Sequence, residues 1–306
     1  MPYSVQWQKN SMVGQMKTFY YVHTGHRIGL DRFRRAAAMM KEIQDIEEVT
    51  LLTSDYRIAH IAREFGIKNC VGIDVVRNIP NIAKSGDRLL FDSAEANPIM
   101  LEDMRNYFST FIRISDAVDD KKEENEYLIS PYLKGEGIFN GVIVDEKYFE
   151  MAQTPKTVQL SYFFGDDDYE KDLEKHFEFI EELDPALQLG FYYFLDYEDM
   201  LREKFSKTFD FEEYDEMIEQ SNILLTASPQ AVLDGLAAGV KVIYLQRKDY
   251  VKDFIPLFES LNIPVIYEYN KEDLLKTLKT IENHPYKRIE QISNKLREFI
   301  RSSLNL

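Results

Sequence analysis

The run His23-Thr24-Gly25-His26-Arg27-Ile28-Gly29 carries residue types that could act on a bound ligand. A histidine in a loop can serve as a general base near neutral pH. A glycine lets the backbone approach a ligand, and arginines at positions 27, 32, 34 and 35 add positive charge. We expect this loop to bind an anionic ligand. Arginines that coat a helix, histidines that cap a turn and an aspartate at position 31 in a first helical turn would explain the same residues equally well.

A second segment, residues 225–235, ends a predicted strand in small and polar residues and begins a helix at Pro229. Proline is tolerated in the first turn of a helix, and the unpaired N–H groups there bind phosphate. Asp234 follows about two turns later and could accept hydrogen bonds from a ribose diol. Any capped helix gives this pattern, so on its own it is weak support for a nucleotide site.

Two further strand ends carry acids. Gly165 and Asp166 follow the apolar run 162–164, and Asp92 follows the predicted strand 88–91. Each acid could contact a substrate or cap a helix. The triple aspartate 166–168 could hold a hard cation, but acids at a helix start also complement the helix dipole. We favour the helix start, and we expect neither a metal nor a cofactor.

These residues lie at the ends of strands that alternate with helices. In the first half, short apolar or β-branched runs predict strands, and the intervening segments predict helices. The predicted strands are 18–22, 49–53, 69–73, 88–91, 111–114, 127–129 and 141–144, and the helices are 30–44, 56–65 and 98–108. The polar run 150–156 contains a proline and predicts a linker.

The alternation restarts beyond residue 156. Strands are predicted at 157–164, 187–193, 222–226, 240–245 and 264–267, and helices at 169–183, 197–207, 211–220, 229–238, 272–282 and 286–303. This order predicts an N-terminal extension at 1–15 and two α/β domains with parallel sheets, 16–150 and 151–306. Ligands bind beyond the carboxyl ends of such strands, so we expect the site in a cleft between the domains.

Composition excludes several classes. The chain has 306 residues and a formal net charge of −16 at pH 7, and nucleic-acid-binding proteins normally carry a basic face. We therefore expect no nucleic-acid partner. Nineteen acidic and five basic residues lie in 166–216, so most of the negative charge is in that window. The loop at 23–29 lies outside it and is locally basic. The G-x-G-x-x-G fingerprint is absent from the chain, which argues against a nicotinamide cofactor. One cysteine excludes an internal disulfide framework.

No run approaches the ~20 apolar residues that a transmembrane helix needs, and no signal pattern opens the chain. These features predict a cytoplasmic protein.

Thr24-Gly25-His26 resembles the G-[ST]-G-H loop of the nucleotide-sugar hydrolase family of pseudaminic acid synthesis. That family is related to the lipid-II-forming N-acetylglucosaminyltransferase and has the GT-B fold, two Rossmann-like domains that face a cleft. From Met16 onward, further segments are similar to family motifs in the same order. They are 89–92, 112–120, 163–166 and 228–234.

The resemblance implies that His26 is the catalytic base that activates water at the anomeric carbon. It places the nucleotide on Ser228, Pro229, Gln230 and Asp234. The rest of the implied substrate-binding set is Thr24, Gly25, Arg27, Asp92, Gly165 and Asp166.

Six positions depart from the family pattern. His23, Asp166 and the pair Ser228-Pro229 stand where the family has glycines, Asp234 replaces a glutamate, and Gly29 replaces an arginine.

The implied activity is metal-independent hydrolysis of a UDP-sugar in nonulosonic acid or surface-glycan synthesis. A GT-B glycosyltransferase is the close alternative. The lost glycines motivate a third interpretation, a non-catalytic homologue that binds a nucleotide sugar.

Overall fold

Alternating strands and helices form two units in the computed structural model, which describes residues 16–95, 97–192, 195–248 and 250–306, and of Leu195 only the backbone. The predicted extension 1–15 lies outside these residues. Of the described residues, 16–25, 32–143 and 292–306 belong to the first unit, and 26–31 and 144–291 belong to the second. The chain therefore passes between units more often than a single boundary near residue 150 would require.

The first unit is built on a seven-stranded parallel sheet in the order β3-β2-β1-β4-β5-β6-β7. Its strands are β1 (Thr18–Val22), β2 (Val49–Thr53), β3 (Cys70–Gly72), β4 (Arg88–Asp92), β5 (Thr110–Ile114), β6 (Tyr127–Ser130) and β7 (Ile138–Asn140). Every residue of β1, β4 and β5 is buried, which is typical of parallel strands covered on both faces. Phe19, Tyr21, Phe91 and Phe111 pack on one face of this sheet.

Three helices follow strands of the first unit: α1 (Asp31–Ile43), α2 (Tyr56–Ile61) and α3 (Pro98–Tyr107). Each of the last two begins at a side-chain cap. The Asp55 carboxylate accepts a hydrogen bond from the Arg57 N–H, and the Asn97 side chain accepts one from the Met100 N–H. Such caps satisfy N–H groups that have no partner inside the helix.

The second unit is built on a six-stranded parallel sheet in the order β10-β9-β8-β11-β12-β13. Its strands are β8 (Val158–Phe163), β9 (Ala186–Gln188), β10 (Thr208–Phe209), β11 (Ser221–Thr226), β12 (Lys241–Gln246) and β13 (Val265–Tyr267). Its helices are α4 (Glu146–Glu150), α5 (Phe177–Ile180), α6 (Leu195–Lys204), α7 (Tyr214–Gln220), α8 (Pro229–Ala237), α9 (Ile255–Ser260) and α10 (Lys271–Thr280). A final helix, α11 (Ser293–Leu304), returns to the first unit.

The predicted fold class is confirmed: the chain contains two Rossmann-like α/β domains with parallel sheets. The helix predicted over 169–183 is instead two 3₁₀ segments with α5 between them. Lys171 and Asp184 bound this stretch in left-handed conformations that an α-helix does not contain. Among the described residues, no helix has both the length and the apolar character needed to cross a membrane.

Candidate functional site

The segment 26–31 packs on the second unit through an aromatic ring. His26 meets Tyr169 edge to face with ring centroids 5.3 Å apart, and the Arg27 guanidinium lies 4.0 Å from the centre of the same ring. His26 is half-buried and Arg27 is exposed. Tyr169 therefore holds a possible base and a cation side by side on one surface of this unit.

Asp31, the last residue of this segment, lies at the start of α8. The Ser228 hydroxyl donates a hydrogen bond to Asp31 Oδ1 at 2.6 Å, and the Gln230 N–H donates one to Asp31 Oδ2 at 3.2 Å. Ser228 Oγ also accepts a hydrogen bond from the Ala231 N–H at 3.1 Å. The helix start predicted at Pro229 is thus present, and a carboxylate of the same chain lies on it.

Asp234 lies on the same helix and is 1% exposed. Its Oδ1 accepts a hydrogen bond from Gln230 Nε2 at 2.8 Å, and its Oδ2 accepts one from the Tyr214 hydroxyl at 3.0 Å. Both carboxylate oxygens therefore have protein donors. The sequence predicts a ribose contact here, and the structure adds the two side chains that orient this acid.

The loop after β8 contains Gly165 in a conformation that glycine favours, with φ of +128°. A Cβ at this position would lie 2.8 Å from Asp167 Oδ1. The Gly165 carbonyl accepts a hydrogen bond from the Tyr192 hydroxyl at 3.2 Å, and the Asp166 carboxylate accepts one from the Phe191 N–H at 3.0 Å. Glycine is needed here because the loop folds closely over its own acid.

The half-buried Asp167 and the buried Arg247 form an ion pair that no motif in the sequence predicts. Arg247 Nη1 lies 2.8 Å from Asp167 Oδ1, and Arg247 is 5% exposed. Burial raises the pKa of Asp167 to about 6, although Arg247 acts in the opposite direction. The one signal in the sequence is that Arg247 directly follows β12, at the same strand edge.

The three aspartates 166–168 have separate protein partners. The Asp168 carboxylate accepts hydrogen bonds from the N–H groups of Asp172 and Leu173 and from the Tyr197 hydroxyl, at 2.6, 3.2 and 2.5 Å. In the part of the chain that the structure describes, no group of three or more acidic, histidine or cysteine side chains is arranged to hold a metal ion.

Sheet topology explains why these loops come together. β8 and β11 are neighbours, and the strand order runs outward from them in opposite directions. A parallel sheet opens a crevice at such a reversal, beyond the carboxyl ends of the two strands. Gly165 follows β8 and Ser228 follows β11. The predicted residues His26, Arg27, Gly165, Asp166, Ser228, Pro229, Gln230 and Asp234 all belong to this unit.

Asp92 belongs to the first unit and is 1% exposed. Arg35 donates to both of its oxygens, Nε to Oδ2 at 2.9 Å and Nη2 to Oδ1 at 2.7 Å. Arg35 Nη1 also donates to Asp116 at 2.6 Å. Burial raises the pKa of Asp92, and Arg35 lowers it. Both oxygens of this predicted substrate contact are therefore held by an arginine.

The other predicted residues of the first unit lie just after β1. Thr24 is 1% exposed, and a Cβ on Gly25 would lie 2.7 Å from Asp55 Oδ2. His23 precedes them with its Nε2 3.8 Å from a Glu95 carboxylate oxygen, and burial lowers the pKa of His23. In the sequence, His23 stands out only because it replaces a family glycine. In the structure, it is a half-buried imidazole that faces the Glu95 carboxylate.

Comparisons with known proteins identify relatives in fold. No family model matches the chain, and no curated protein matches it. Among solved structures, the UDP-GlcNAc 2-epimerase of Methanocaldococcus jannaschii, crystallised with UDP-GlcNAc and UDP, is similar at 13% identity with a TM-score of 0.61. The match covers 95% of this chain and 100% of the epimerase chain.

Two further solved structures are similar over nearly their whole length. MurG of Acinetobacter baumannii is 8% identical with a TM-score of 0.59, over 94% of this chain and 100% of that one. The spinosyn forosaminyltransferase SpnP is 10% identical with a TM-score of 0.59, over 95% of each chain. At these identities the likeness establishes the fold, which this chain shares with epimerases and glycosyltransferases.

Proposed function

We propose that this protein is a nucleotide-sugar hydrolase that releases a nucleoside diphosphate from a UDP-sugar in nonulosonic acid or surface-glycan synthesis. One observation carries the proposal: the second unit holds His26, Arg27 and the start of α8 at a single strand edge. The epimerase of similar fold, which was crystallised with UDP-GlcNAc and UDP, supports a nucleotide sugar as the ligand.

In the proposed reaction, the diphosphate lies on the α8 start, where Ser228 and the Gln230 N–H donate hydrogen bonds. Asp234 accepts hydrogen bonds from the ribose. His26 takes a proton from the water that attacks the anomeric carbon. The bond from that carbon to the phosphate oxygen breaks, and the nucleoside diphosphate leaves with the electron pair. The N–H groups of α8 and the Arg27 guanidinium stabilise the charge that develops on the leaving group.

The proposal also includes Thr24, Gly25 and Asp92, which belong to the first unit. Arg35 donates hydrogen bonds to both Asp92 oxygens, so we propose that Asp92 positions neighbouring side chains. In the second unit, the glycine at 165 lets the β8 loop approach the sugar, and Asp166 fixes that loop through Phe191.

The test is to incubate the purified chain with UDP-, GDP- and CMP-sugars and to follow the products by ³¹P NMR. Release of UDP and free sugar without an acceptor supports the hydrolase. Release only with an acceptor would support a glycosyltransferase, and an isomerised sugar still joined to its nucleotide would support an epimerase. Binding without turnover across the panel would support a non-catalytic homologue.

The variant His26→Ala tests the base. We expect turnover to fall by at least about a hundredfold, since general-base catalysis contributes roughly 10² to 10⁴. The matched control is His60→Ala, which removes an exposed imidazole from α2 in the first unit. Equal turnover in both variants would contradict the role of His26.

A further inference from the structure

The carboxylate of Asp31 uses the two donors that a phosphate would need. Its two oxygens accept from the Ser228 hydroxyl at 2.6 Å and from the Gln230 N–H at 3.2 Å. Capping of α8 does not require this acid, because Ser228 Oγ already accepts from the Ala231 N–H. Asp31 therefore satisfies groups at a helix start that otherwise attract an anion.

We propose that Asp31 is an internal phosphate mimic, which occupies the anion-binding start of α8 until a nucleoside diphosphate displaces it. The inference rests on the proposed function, because it assigns regulation to that same site. A carboxylate carries one negative charge and two acceptor oxygens, whereas a phosphate carries more of both. The ligand can therefore replace the internal anion at the same donors.

The surroundings of Asp31 favour exchange over permanent occupation. Asp167 lies in the same unit, and its carboxylate interacts unfavourably with that of Asp31. Arg247 pairs with Asp167, and Arg27 lies over Tyr169. Two cations thus belong to the same unit as this helix start, and a second acid opposes its internal occupant. Asp31 is half-buried, so rotation of its side chain gives it a route to solvent.

The first experiment measures dissociation constants for UDP and for inorganic pyrophosphate by calorimetry. The proteins are the wild type, Asp31→Ala, Asp31→Asn and the control Asp199→Asn, which removes one charge from an exposed position on α6. If the open state is about a tenth of the wild-type population, removal of the mimic tightens binding about tenfold. We expect this gain in both Asp31 variants and none in the control. Melting temperatures establish that each variant is folded.

The outcomes separate the two proposals. Equal UDP affinity in the wild type and both Asp31 variants would leave the proposed function standing and overturn the mimic. Tighter pyrophosphate binding in the Asp31 variants, without UDP binding in any protein, would support the mimic and overturn the proposed function. Failure of every protein to bind either anion would overturn both.

A crystal structure of the wild type with UDP tests displacement directly. It distinguishes displacement from tighter binding that arises only because the Asp31 variants carry one negative charge fewer. Displacement predicts phosphate oxygens within hydrogen-bond distance of Ser228 Oγ and the Gln230 nitrogen, with Asp31 turned away. A bound nucleotide with Asp31 still on both donors would overturn the inference.

Discussion

Replacement of Arg35 by methionine tests whether the Asp92 network is a structural unit. Arg35 makes four hydrogen bonds of 2.6–3.1 Å to two carboxylates, of which Asp92 is 1% and Asp116 is 15% exposed. Methionine keeps an unbranched apolar stem but leaves two acids without the guanidinium that donates to them. Removal of one partner of a buried ion pair costs about 3–5 kcal/mol.

That cost corresponds to a decrease in melting temperature of roughly 10 °C, since 1 kcal/mol shifts a domain of ~150 residues by about 2–4 °C. Differential scanning calorimetry at pH 8 measures the shift. Burial already raises the pKa of Asp92, and loss of Arg35 raises it further. Proton uptake then relieves the buried charge, so the variant should lose less stability at pH 5 than at pH 8.

Two comparisons make this prediction specific. Arg63→Met removes an exposed arginine of the same unit and should leave the melting temperature nearly unchanged. The triple variant Arg35→Met with Asp92→Asn and Asp116→Asn should be more stable than Arg35→Met alone, because it leaves no buried charge. An Arg35→Met shift under about 2 °C, or a triple variant less stable than the single one, would refute the reasoning.

Two further predictions concern the second unit. Gly165→Ala should cost about 1–3 kcal/mol, and it should cost more than Gly86→Ala, because both glycines have positive φ but only at 165 would a Cβ meet an acid within 4 Å. Equal losses in urea unfolding would contradict the crowding. Arg247→Met should raise the pKa of Asp167 above its value of about 6. The variant loses stability as pH rises and Asp167 ionises without its cation, so its melting temperature should fall further below the wild-type value at pH 8 than at pH 5. An equal decrease at both pH values would contradict this direction.

The sequence predicts most strands of this protein because parallel strands buried on both faces are nearly continuous apolar runs. The segments 18–22, 49–53 and 222–226 show this pattern, and β1, β2 and β11 form there. The helix start at Pro229 was also predicted correctly, and the Ser228 side chain caps it. The predicted helix 169–183 was wrong: Lys171, near its start, is left-handed, and no glycine or proline marks that position in the sequence.

Strand-end loops and their residue types are thus set by local sequence, through hydrophobic runs, caps and turns. Partners across the fold are not. The sequence predicts Asp31 as an acid in a first helical turn, yet it accepts a hydrogen bond from Ser228, 197 positions away. Asp167 pairs with Arg247, 80 positions away. Long-range contacts of this kind depend on which strand ends the sheet order brings together, and no local pattern encodes that order. The sequence by itself located the edges where chemistry can occur, and only the tertiary structure decided which acid lies on which donor.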